Sequence, residues 1–63
     1  MADDFTESVN RSADGMIRIH GDQAGAKARA SLARMTARND SVGERMWRAI
    51  VKAIEQKQRD KEL

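Results

Sequence analysis

The sequence predicts an all-α protein, a compact three-helix bundle with helices at about residues 5–20, 23–38 and 42–59. Three observations lead there. Apolar side chains recur at steps of three and four in three segments, and no segment alternates over the length of a strand. Proline is absent, so nothing breaks these segments internally. Two short groups of turn and capping residues, Gly21-Asp22 and Asn39-Asp40-Ser41, separate them.

In the first segment Phe5, Val9, Ser12/Ala13, Met16, Ile17 and His20 form one stripe. Asp4 and Glu7 have the spacing of a capping box, and both carboxylates suit a positive helix end. Gly15 weakens the interior, and Gly21 supplies the left-handed residue that ends the helix. Asp22 is the expected cap of the second segment. There Ala24, Ala28, Ser31, Leu32 and Met35 face the core, with Ala26, Ala30, Ala33 and Ala37 on the reverse. Ser41 and Glu44 read as the capping box of the third segment. Its apolar residues, Val42, Met46, Trp47, Ala49, Ile50, Val51, Ala53 and Ile54, span an arc of roughly 200° at 100° per residue. One neighbouring helix cannot cover so broad an arc. The third helix is therefore expected against both others, or against them and a second chain, with Trp47 near the centre of the bundle. Connections of two or three residues predict antiparallel neighbours.

Length and composition bound the rest. The chain has 63 residues, room for one small domain at 1–63, with frayed ends expected at about 1–4 and 60–63. Leu, Ile, Val and Phe together number ten, a thin core for a fold of this size. Without cysteine there is no disulfide framework, so the usual remaining aid for so small a domain is self-association, most simply as a homodimer. No apolar run approaches the roughly 20 residues of a membrane span, and the acidic start is unlike a signal peptide. A soluble, cytoplasmic protein is expected.

Charge is uneven. Residues 1–17 carry a net −3, residues 18–52 a net +5, and residues 53–63 are balanced. Arg34, Arg38, Arg45 and Arg48 fall in the basic stretch, on either side of the second turn. A basic helix-turn-helix segment in a chain of pI near 9.5 suggests phosphate contact. Against this, the third helix mixes signs on its polar face, and the turn itself carries acid.

No catalytic constellation stands out. His20 is the one imidazole and has only Asp22 beside it, too little for a metal site. The serines have no base at a suitable spacing, and the glycines match no phosphate loop. No enzyme activity, cofactor or metal is expected. Trp47 is read first as a core residue and second as a partner-binding hot spot.

Met16-Ile17-x-x-His20-Gly21-Asp22-x-Ala24, the Asn-Asp-x-x-Gly turn at 39–43 and Trp47-x-x-Ile50-x-x-Ala53-Ile54-Glu55 together resemble a group of short uncharacterised alphaproteobacterial proteins. The similarity spans about residues 13–58. It implies a small helical domain of unknown function and supplies no site residues. The sequence thus leads to a non-enzymatic helical protein–protein interaction module or small modulator, self-associating through its broad apolar arc. A small nucleic-acid-binding protein is the alternative. The contact residues to watch are Arg34, Arg38, Arg45, Arg48 and Trp47.

Overall fold

The computed structural model describes residues 4–62, and side chains for residues 4–60. Helix α1 is Asp4–His20, a 3-10 turn covers Gly21–Gln23, α2 is Ala24–Ala37 and α3 is Ser41–Glu62. The all-α class holds, and there is no strand among the described residues. The expected compact three-helix bundle holds only in part. From Asp4 to Ala37 α1, the 3-10 turn and α2 follow one another directly, broken only at Gly21, so α1 and α2 are two limbs of one long, bent helix. The second helix is α3.

The bend has a local cause. Gly21 has φ +57°, in the left-handed region that glycine enters without steric cost. Its carbonyl then accepts from the Ala24 N–H and closes the 3-10 turn. Asp22 was expected to cap α2, but no side chain caps its start at Gln23. The backbone of the 3-10 turn carries the chain into the helix instead.

Helix α3 packs against both limbs, more extensively against α2. Three contacts set α3 antiparallel to α2 and the turn before it. Met35 lies against Gly43 at the start of α3, Arg29 pairs with Glu55, and Gln58 Nε2 donates to the Gly21 carbonyl over 3.0 Å. Lys57 Nζ reaches Asp14 Oδ1 of α1 at 3.1 Å. These last two contacts anchor α3 near its end, and the helix runs to Glu62. Asp4 likewise opens α1, while residues 1–3 and 63 lie outside the described residues.

The core is small. Val9 and Ala13 of α1, Ala24 and Ala28 of α2, and Ile50, Val51 and Ile54 of α3 are buried. Alanines line the limbs where α3 crosses them, and their short side chains leave room for Ile50 and Ile54, the largest fully buried side chains. Met16, Ile17, Trp47, Ala49 and Ala53 pack at the edge of this cluster. Trp47 is half-buried, not central as expected. A socket walled by alanine accepts an isoleucine, and the wider indole stays on its rim. Phe5, expected in the α1 stripe, is 42% exposed.

The shape is a slab of 36 × 31 × 17 Å with a radius of gyration of 11.6 Å. A compact chain of this length would have about 10.6 Å. The chain therefore covers less of its own surface than the close bundle expected from the short connections.

Two stability outcomes follow. An added β-carbon at Gly15 meets nothing within 4 Å, so the glycine serves no close approach. Gly15→Ala should raise stability by about 0.5–1 kcal/mol, read as a higher thermal midpoint. Ile54→Ala removes a fully buried side chain and should cost about 2–5 kcal/mol, measured by chemical denaturation. A loss under 1 kcal/mol would mean that this cluster is not the core.

Candidate interaction surface

The corner between α2 and α3 gathers most of the residues singled out in the sequence. Its backbone is closed by a Schellman motif. Asn39 takes φ 59°, its N–H donates to the Thr36 carbonyl over 3.1 Å, and the Asp40 N–H donates to Met35 over 2.9 Å. Asn is the residue best able, after Gly, to adopt this conformation.

Asp40 then begins α3. Its Oδ1 accepts from the Gly43 N–H at 2.9 Å, and its carbonyl accepts from the Glu44 N–H at 2.8 Å. The cap is therefore Asp40 and not Ser41, one residue earlier than the capping-box reading. Freed from that role, Glu44 accepts from Thr36 Oγ1 at 2.9 Å and from Arg48 Nη2 at 3.0 Å. It ties the last turn of α2 to the first turns of α3. Gly43 lets the two helices meet here, since a β-carbon there would stand 2.6 Å from Met35 Sδ.

The arginines share this corner but not one environment. Arg34 donates to Ser31 Oγ at 3.1 Å, and Arg48 is held by Glu44. Arg38 caps α2 through its backbone N–H, bonded to the Arg34 carbonyl at 3.1 Å. The side chains of Arg38 and Arg45 are exposed and have no partner among the described residues. Asp40 and Glu44 sit among these cations, so the corner is of mixed charge and not a basic patch.

Its apolar side chains are more distinctive. Val42 is 77% exposed and Met46 is 38% exposed, although both belong to the apolar arc of α3. Ile50, Val51 and Ile54 take up the buried part of that arc. The two limbs leave the other part uncovered. Ser41, Val42 and Arg45 line an open hollow of about 300 Å³ on this side.

Elsewhere His20 is half-buried at the bend, with Asp22 exposed beside it. No group of three or more His, Asp or Glu side chains converges as metal ligands among the described residues. None of the described helices is long and apolar enough to cross a membrane. Compared with protein-family models, curated proteins and solved structures, the chain matches none.

The exposed apolar arc was legible as an arc, but its open sector was not. The Thr36–Glu44–Arg48 link was not found from sequence either. Its signal, a Thr and a Glu on either side of a tight turn, is too common to single out. The corner yields one outcome. Asp40→Ala removes the α3 cap and should cost about 0.5–2 kcal/mol, measured as a shift in urea midpoint. Ser41→Ala should cost less, and the reverse order would return the cap to Ser41.

Proposed function

We propose that this chain is a non-catalytic helical module that binds another protein through the outward sector of α3. The observation that carries the reading is the exposure of Val42 and Met46 on an apolar arc that continues into the core. Water-exposed apolar side chains in a row on a well-formed helix are the usual anchor of helix-mediated recognition. Half-buried Trp47 and the exposed Arg45 supply a packed edge and a polar rim, as protein interfaces have. The nucleic-acid alternative has less support, because Arg48 and Arg34 are engaged within the chain and two carboxylates lie among the cations.

The test is site-specific photo-crosslinking in the expressing cell. A crosslinking residue at position 42 or 46 should yield protein adducts. The same residue at the exposed Ala33 of α2 should yield few. Equal labelling from all three positions, or adducts that are nucleic acid, would refute the proposal.

A further inference from the structure

Charges of the two signs are not equally engaged. Most of the described carboxylates are held from within the chain. Arg11 pairs with Glu7, Lys57 with Asp14 and Arg29 with Glu55. Asp40 caps α3, and Glu44 accepts from Thr36 and Arg48. Several cations are left over. Arg45, Lys52 and Arg59 of α3 are exposed and have no partner among the described residues.

These three cations form a row. They stand seven residues apart, about 10.5 Å of helix rise at each step. At 100° per residue they lie within about 40° of one another. Val42 is about 60° further round from Arg45, and Met46 about 100°. Arg45 and Val42 line the same open hollow. Up to Arg59 the arc from the row to Met46 holds no carboxylate. Glu44 and Glu55 fall beyond the other edge of the row, and both are engaged. The outward side of α3 is therefore an apolar strip with a positive strip running parallel to it.

We infer that the partner of this surface is an acidic amphipathic helix of another protein. The inference rests on the interaction reading above and adds the chemistry of the partner. Apolar side chains of that helix cover Val42 and Met46. Carboxylates beside them, at the same interval of two turns, meet Arg45 and Lys52. Charges that flank an apolar seam set the partner and its direction in paired helices. Opposite potentials also speed encounter and reject like-charged surfaces.

Other occupants match the surface less well. A second copy brings the same cations on α3, and most of its carboxylates are already engaged. A phosphate chain would meet the cations and leave the valine and the methionine wet. A helix lying in an anionic bilayer buries a whole apolar face, whereas α3 exposes two large apolar side chains, Val42 and Met46.

Fluorescence anisotropy with a labelled designed peptide tests this on the purified chain. The probe is a helix of about three heptads, with leucines along its seam and glutamates beside them. Companion peptides carry glutamine or lysine in place of the glutamates. The glutamate peptide should bind at micromolar concentration, less tightly as salt rises, and the glutamine peptide should bind far more weakly. Arg45→Glu/Lys52→Glu should weaken the glutamate peptide about tenfold and should accept the lysine peptide instead. Both positions are exposed, so helical circular dichroism should be unchanged. Arg18→Glu/Lys27→Glu makes the same change in net charge at exposed positions outside α3. It should leave affinity within about twofold, since distant charges are screened. Val42→Ser should weaken binding several-fold.

A glutamate peptide that does not bind, equal losses from the two double variants, or no loss from Val42→Ser would each overturn the inference. So would duplex DNA or phosphatidylserine vesicles that bind more tightly than the peptide and lose affinity in Arg45→Glu/Lys52→Glu. Crosslinking from position 42 in the cell separates this inference from the broader reading. If it captures protein in equal yield with and without Arg45→Glu/Lys52→Glu, only the acidic partner falls. If it captures no protein, both fall.

Discussion

The rest of the structure depends on the fit of two isoleucines into a socket built of alanine. Ala13, Ala24 and Ala28 are fully buried where α1 and α2 meet α3, and Ile50 and Ile54 fill the space they leave. Apolar burial is the dominant favourable term in folding, and here few residues supply it. The alanines contribute little area of their own. Their role is to let α3 come close enough for Ile50 and Ile54 to leave water. The same choice sets the limits of the fold. Short walls give a shallow core, so Trp47 stays on its rim and Val42 and Met46 remain outside.

Around this core the polar contacts act as guides. Gln58 holds the Gly21 carbonyl, Lys57 holds Asp14, and Arg29 holds Glu55. The two ion pairs lie at the surface, where such pairs contribute roughly 0–1 kcal/mol. Their value is positional. Together they hold the α3 segment from Glu55 to Gln58 against the two limbs and the bend.

Much of this was legible in the sequence, because the signals were local. Periodicity and turn residues placed each helix to within a few residues, and Gly21 ended α1 for the reason expected. The inward face of α2, from Ala24 to Met35, was read correctly, since on an alanine-rich helix the few larger side chains mark the contact side. The errors lay where two residues compete or where distant parts decide. Asp40 and Ser41 are both good caps, and the backbone turn at Asn39 selects the first. Trp47 was placed centrally from its size and its position in the α3 arc, whereas the alanine-walled core takes in only the isoleucines fully. The sequence also left open which part of the α3 arc would stay outside. That depends on how α3 sits against the two limbs, and no local pattern encodes the placement.

Asp40 belongs to both helices it joins. Its N–H closes the end of α2, and its side chain and carbonyl open α3. Neither helix can unwind at this corner without taking away hydrogen bonds from the other, so the two form a single cooperative unit. Val42 lies two residues further on. Recognition through α3 is thereby tied to the integrity of the whole hairpin: whatever grips that valine also selects the folded chain from the unfolded one.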